Sequence, residues 1–360
     1  MLWRHRRRVG DVLVSVVMCV RDAGAQATEA LISVLHSQLD DLEVVLVPDG
    51  ASEQSVAALA AADDARVRVV RPSDGVRAVD AGIRAARGTY LCFLDAADIV
   101  PPQALAALAA SLEASGSDLA VGARCDVVDG VPVPPSAAMQ AAHGAALRAV
   151  SAELHPQVLA SAGLAGKLVR RSYWDERLSP DAGVPEQALV ARLYLTARID
   201  VLAEVTVLRR VETQRDDRAG VLARGEVLGA VLRSYDSVPA LRRARVGQLI
   251  TWDAAEILAC ATPGDAALLE AITTALHPAL SRVDEAAARE VPVDARVGFL
   301  LAAAGDWDAY FAVRSALDEA EQLVGKTKFV DRMLVVVGRL AALGLDLPDW
   351  AFEPPGQVAA

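Results

Sequence analysis

Two acidic turns hold the groups in this sequence best placed to do chemistry. Val47-Pro48-Asp49-Gly50 closes one apolar strand, and Phe93-Leu94-Asp95-Ala96-Ala97-Asp98 closes another, inside a stretch that reads strand, helix, strand, helix, strand. Carboxylates at the ends of successive parallel strands fall along one rim of the sheet, where open α/β folds bind ligands. Oxygen donors on such a rim suit a nucleotide and a hard divalent cation. Each acid also has a plainer reading. Asp-Gly is a common turn dipeptide, and Asp98 stands where it would cap a helix beginning near Pro101 or Pro102.

The elements that must position these groups follow from periodicity. Residues 12–20 form a continuous apolar run, the mark of a strand covered on both faces. The next segment, 28–38, carries Ala30, Leu31, Val34 and Leu35 at helical spacing. Further strands are predicted at 43–47, 67–70, 90–94 and 118–122, with helices at 55–62, 77–87 and 102–114. Gly88 reads as the stop just past the helix that precedes it. Strands alternating with helices of about ten residues predict a mostly parallel sheet.

Beyond residue 128 the rhythm changes. A loop or short hairpin is expected at 128–135, a strand or turn entering a small helix at 166–171, a helix at 187–196 and an extended segment at 200–208. From about 216 the pattern is helical, at 221–235, 239–260, 264–276, 294–304, 307–323 and 329–344, with breaks at Pro239, Pro263, Pro278 and Pro292. The predicted organisation is a basic tail over 1–10, an α/β domain over 11–215, a helical domain over 216–350 and a short tail over 351–360.

Bulk properties narrow the classes of function. A formal charge of −11 argues against general affinity for nucleic acid, whose phosphates demand a basic face. Apolar residues make up 53% and aromatics only 4%, so the cores must be built from Ala, Val and Leu. No apolar run reaches the roughly 20 residues that span a bilayer. Arg4, Arg6, Arg7 and Arg8 before an apolar run imitate a signal peptide, but Asp11 interrupts it and Arg21-Asp22 close it. That basic cluster is either a solvated tail or a contact to anionic lipid, each charge being worth about 1 kcal/mol near such a surface. Cys19, Cys92, Cys125 and Cys260 lack CxxC spacing and read as reduced, mostly buried thiols of a cytosolic protein. The expected location is therefore the cytoplasm, with the inner face of the membrane as the place a lipid contact would put it. His36, His143, His155 and His277 show no ligand spacing.

A family likeness rests on several runs of the chain. They are Val14-Ser15-Val16-Val17-Met18-Cys19-Val20-Arg21-Asp22, Ser33-Val34-Leu35-His36-Ser37-Gln38, Asp41 to Gly50, Ala81 to Tyr90 and Phe93-Leu94-Asp95. In these the sequence resembles the family-2 glycosyltransferases of GT-A fold. The likeness continues through Lys167 to Ser172 and Val190 to Arg198, and there looks most like the bacterial polyol-phosphate transferases that decorate wall teichoic acid. It covers about 11–210 and thins beyond. It implies a GT-A, Rossmann-like α/β domain followed here by an all-helical C-terminal domain. It also implies an inverting transfer of sugar from a nucleotide-sugar, a UDP-sugar foremost, to a hydroxyl of a cell-envelope or polyol-phosphate acceptor. Assembly as a homo-oligomer is left open.

The resemblance assigns roles residue by residue. Asp49 matches the acid that hydrogen-bonds the base, and Cys19, Val20 and Arg21 match the loop that walls it, with the Arg21 guanidinium able to lie flat on a pyrimidine. Asp95 matches the first acid of the Asp-x-Asp turn, whose last carboxylate holds Mn²⁺ or Mg²⁺ against the diphosphate. Here Ala97 stands at that ligand position, leaving Asp95 and Asp98 as weaker metal candidates. Val79-Asp80 stand where the family has arginine-asparagine. Pro185-Glu186 replace a glutamate-aspartate pair, so Glu186 takes the general-base position, with a helix N-terminal residue as the alternative. Arg209 and Arg210 match a segment that contacts donor or acceptor phosphates, and a solvated strand end is the alternative. Three altered positions at once also support a catalytically inactive binding or assembly module on the same scaffold.

Overall fold

The structure is a computed structural model that describes residues 12–21, 24–60, 64–135, 137–160, 163–178, 186–211, 217–283, 285–289 and 291–324. The basic tail, Pro185 and the helix expected at 329–344 lie outside the described residues. The chain divides into two compact units, Met1–Thr213 and Gln214–Ala360.

In the first unit, strands β1 (Val14–Val20) and β2 (Leu42–Pro48) are buried along nearly their whole length and pair in parallel. Their largely apolar runs are what a strand covered on both faces requires, and the polar Ser15 and Glu43 within them bond to each other at 2.6 Å. β3 (Val67–Val69) adds to β2 and β4 (Tyr90–Asp95) adds to β1, again in parallel. Parallel neighbours need crossover connections, and these contain α1 (Ala25–Leu35), α2 (Glu53–Ala60) and α3 (Ala78–Ala85). Helix α3 lies hard on the sheet at Gly82, where a Cβ would sit 2.4 Å from Val17 Cγ1. Gly88 is not the helix stop that its position suggests. Helix α3 ends at Ala85, and a Cβ on Gly88 would fall 2.6 Å from the Ser15 backbone nitrogen. Close approach to β1 is what demands glycine there.

The rest of this unit follows as α4 (Ala104–Ser115), β5 (Leu119–Val128), β6 (Val131–Val133), α5 (Ala137–His143), β7 (Leu147–Val150), β8 (Lys167–Arg170), α6 (Arg171–Arg177), α7 (Glu186–Thr196) and β9 (Ile199–Val211). The sheet runs β3-β2-β1-β4-β8-β5-β9-β7, with β6 paired to β5. Strand β8 is antiparallel to both β4 and β5, so the sheet is mixed though mostly parallel on its β1 side. Residues 128–135 do form a hairpin. Asp129 and Gly130 turn it with φ of 50° and 79°, the left-handed pair that a two-residue type I′ turn uses. Helix α5 and strand β7 fall where periodicity predicts no element.

Strand β9 has 13 residues against 10 in its partner β5, and the register slips between Val121 and Ala123 and again between Ala123 and Arg124. Two glycines make room for the irregular stretch. A Cβ on Gly122 would lie 2.1 Å from Thr206 Cγ2, and one on Gly166 (φ +71°) 2.7 Å from Val207 Cβ. At the start of β9 the buried Asp200 carboxylate accepts from Ser111 Oγ (2.7 Å), Ser115 Oγ (2.6 Å), Ser117 Oγ (2.8 Å) and the Ala149 N–H (2.9 Å).

The second unit is helical among its described residues: α8 (Arg218–Ser234), α9 (Pro239–Gln248), a π-helical turn (Leu249–Asp253), α10 (Ala254–Leu258), α11 (Ala266–Leu280), α12 (Glu285–Arg289), α13 (Val293–Ala303) and α14 (Trp307–Val324). Its own core gathers Leu232, Leu249, Ile272, Leu276, Val297 and Phe299. Pro278 does not break α11 but sits inside its last turn. Gly225 lets α8 cross α11 closely, since a Cβ there would be 2.5 Å from Ala275 Cα.

Candidate active site

The ends of three parallel strands build the site. Cys19 stands opposite Val47 on one side and Asp95 on the other, and Val20 stands opposite Pro48. Arg21, Asp49 and Asp95 therefore leave the sheet along one rim. Asp49 is fixed by its own N–H, which donates to the Val20 carbonyl at 2.8 Å. Arg21 Nε donates to Asp49 Oδ2 at 3.0 Å, with the two side chains 84% and 41% exposed. That hydrogen bond raises the Arg21 pKa, burial opposes the rise, and the charges of Asp49 and Asp95 add to it. The guanidinium thus turns its edge to Asp49 in this structure. Val20 is buried and offers the rim only its backbone, while Cys19 is half-buried.

The second acidic turn is held from across the sheet. Asp95 Oδ1 accepts the Ala97 N–H at 3.0 Å, and the Asp98 N–H donates to the Asp95 carbonyl. An isolated bridge between Ile99 and Leu208 brings the end of β9 against this turn. Arg210 Nη1 donates to the Ala97 carbonyl at 3.0 Å, and its other terminal nitrogen pairs with Glu29 of α1. Arg209 instead forks onto Asp126 of β5, at 3.0 and 3.2 Å, and Arg124 reaches the same carboxylate at 3.1 Å. Asp98 is only 4% exposed. Burial, and then the charge of Asp95, push its carboxyl up to about 7, against the Arg210 N–H and the guanidiniums of Arg209 and Arg124. Its alternative reading as a helix cap is overturned: α4 starts at Ala104, with Gln103 as the capping residue.

At the start of α3, Asp80 does not leave an unbalanced negative charge. Arg77 forks onto it at 2.9 and 3.0 Å, so the cation missing at Val79 is present two residues earlier and already neutralises Asp80. Glu186 is the first residue of α7. The structure thus gathers Arg21, Asp49, Asp95 and Asp98 with Arg210 on one rim and ties Arg209 to β5. Sequence reasoning passed over Arg77, Glu29, Arg124 and Asp126. The i,i+3 spacing of Arg77 and Asp80 was a usable signal, whereas Glu29 and Arg210 stand 181 residues apart and give none.

These residues do not fit a divalent cation. Mn²⁺ or Mg²⁺ needs several converging oxygens. In the second turn Ala97 supplies only a carbonyl that Arg210 already occupies, Asp98 is buried and Asp95 alone faces out, while Asp49 is paired with Arg21. Among the described residues no group of three His, Cys, Asp or Glu side chains is placed to share an ion. Nor is any described helix long and apolar enough to cross a membrane.

Residues 15–137 match the model of glycosyl transferase family 2. This segment is a family-2 glycosyltransferase domain. The domain is similar to the uncharacterized glycosyltransferase EpsJ of Bacillus subtilis, with 38% identity over 24% of this chain and 27% of that protein. It is also similar to the succinoglycan biosynthesis protein ExoO of Rhizobium meliloti, with 33% identity over 30% of this chain and 32% of that protein. The chain thus spans about a third or less of the length of these two relatives. S. aureus TarS in complex with UDP-GlcNAc superposes with a TM-score of 0.63 at 16% identity, covering 88% of this chain and 93% of that one. TarS 1-349 without that ligand gives 0.63 at 17% identity, over 86% and 92%. The glycosyltransferase domain and its helical extension share the GT-A-like fold of TarS.

Proposed function

We propose that this chain is an inverting glycosyltransferase that moves a sugar from a uridine-diphosphate sugar to a hydroxyl of a cell-envelope or polyol-phosphate acceptor. The observation that carries the reading is Asp49, delivered by a buried strand to the rim it shares with Arg21 and Asp95. The family-2 match, the names of EpsJ and ExoO, and the UDP-GlcNAc bound to TarS support the donor class. Asp49 would accept the imide N–H of uracil, giving up its exposed pairing with Arg21, which at that exposure is worth about 0–1 kcal/mol. Arg21 is then released to stack on the pyrimidine. The acceptor oxygen attacks the anomeric carbon on the face opposite the departing diphosphate, and Glu186 at the start of α7 takes the proton. Inversion rests on the family resemblance.

Calorimetry with UDP and UDP-GlcNAc, paired with an assay for transfer or donor hydrolysis, tests this. Binding with turnover supports the enzyme, and no binding of either nucleotide overturns it. A second reading, a non-catalytic module that keeps the nucleotide site, is favoured by Ala97, whose methyl stands at the usual metal ligand. Tight UDP binding without any transfer or hydrolysis would select that reading.

A further inference from the structure

Among the described residues the rim lacks a cation site, yet a nucleoside diphosphate carries charge that some cation must meet at the Asp95–Asp98 turn. Resting on the nucleotide-sugar reading above, we infer that Arg210 is the diphosphate's counter-charge, that the site works without a divalent metal, and that Glu29 occupies the phosphate's place until the donor arrives.

Three observations converge on this. First, the turn has lost its metal chemistry by its own residues, since Ala97 has no side-chain donor and Asp98 is packed away beneath the surface. Second, a guanidinium has been brought to the same turn. Arg210 reaches it because the Ile99–Leu208 bridge docks β9 there, and its Nη1 is anchored on the Ala97 carbonyl, the residue whose side chain should have held the ion. Third, the remaining terminal nitrogen is turned outward to an acid. Arg210 is only 18% exposed, whereas its partner Glu29 is 58% exposed on the first turns of α1.

The asymmetry of that pair is informative. A long cationic side chain that is mostly buried and fixed at one nitrogen has already lost its rotamer freedom, so a phosphate binding to it pays little ordering entropy. A guanidinium also presents paired N–H donors in a plane that suits phosphate oxygens. Glu29 is the loosely held member, and an ion pair with so exposed a partner is easily exchanged. Replacing one anion by another at Arg210 keeps the guanidinium paired throughout, and no metal is recruited or released. The other rim arginine does not serve the same end, because Arg21 sits with Asp49 at the base-binding side.

The experiment is calorimetry on the full chain with UDP and with uridine, which lacks phosphates, each in EDTA and in Mn²⁺. UDP affinity is expected to be nearly the same in both buffers. Arg210→Gln should weaken UDP binding by about 10- to 100-fold, the usual loss of a charged hydrogen-bond partner, while uridine binding is unchanged. Glu29→Gln removes the competing anion without touching the buried arginine, so UDP should bind more tightly and uridine no differently. This second variant keeps the test alive should Arg210→Gln fail to fold, which its melting curve would reveal. Strengthening of UDP binding by about a hundredfold in Mn²⁺ would overturn the inference. So would a folded Arg210→Gln, or a Glu29→Gln, that binds UDP as the parent does. If the parent binds uridine and UDP in neither buffer, the nucleotide reading fails first and this inference falls with it.

Discussion

Asp49 is bonded through its backbone to β1 and through its side chain to Arg21, and only the second bond is available for exchange with a ligand. Asp49→Ala should therefore leave thermal stability nearly unchanged but weaken uridine-nucleotide binding by about 1–3 kcal/mol. A melting curve of the variant checks the first half and titration with UDP the second, and unchanged affinity would remove Asp49 as the reader of the base. Glu186 carries the matching prediction for chemistry. Glu186→Gln keeps the size and removes the basicity, so turnover should fall by about 10²–10⁴-fold while donor affinity stays level. An equal loss of binding would mark the residue as part of the helix start. Single residues also show where local spacing misleads. Val79 and Asp80 read as a lost arginine and a gained acid, but Arg77 restores the charge from one turn away.

At the scale of elements, β9 is fixed at both ends, by the serines around Asp200 and by the arginines at the turn. Burial pushes the Asp200 carboxyl upward, yet the hydrogen bonds from Ser115, Ser111, the Ala149 N–H and Ser117 win, and its pKa ends below the ordinary value. A carboxyl whose folded pKa is depressed stabilises fully above its unfolded pKa, about 4, and loses that contribution as pH falls below it. Asp200→Asn should therefore lower the melting temperature at neutral pH and flatten its decline between about pH 5 and 2. A parallel decline in variant and parent would contradict this. Gly122→Ala tests the irregular stretch: its Cβ would enter the space of Thr206, so overpacking should cost about 1–3 kcal/mol, read as a lower unfolding midpoint. The parallel half of this sheet was legible because β1, β2 and β4 are largely apolar runs, and β2 and β4 end at acids. The pairing of β5 with β9, the element β7 and the true reason for Gly88 were not, because each depends on a partner strand far away in sequence. The same division holds for the placement of side chains, where strand ends put Asp49 and Asp95 on one rim but nothing local put Glu29 beside Arg210.

For the whole molecule, the charge of −11 sets what the arginines can do. An acidic surface has no general attraction for phosphates, so an anionic ligand must be met by a few cations gathered at one place, as Arg21 and Arg210 are beside the acidic turns. Labelled duplex DNA at about 0.1 M salt should accordingly show no binding by anisotropy, whereas UDP should bind. Saturable DNA binding would mean that the basic residues form a broader face. The organisation into an α/β part and a helical part could be read from the change of hydrophobic period near residue 216, while Pro278 shows that a proline within a last helical turn is a poor boundary mark. The excess of residues in β9 over β5 has one more consequence. It is an odd number, and side chains alternate faces along a strand. Which arginine meets Asp126 and which meets Ala97 is thus a matter of register as well as of face. Losing a single residue in the slipped stretch would put Arg210 opposite Asp126 and Val211 in the place of Arg210, and losing two would restore the facing of the strand but remove both arginines from their places. Chain length along this strand, and not only its composition, would then be under selection in any sequence that keeps the rim.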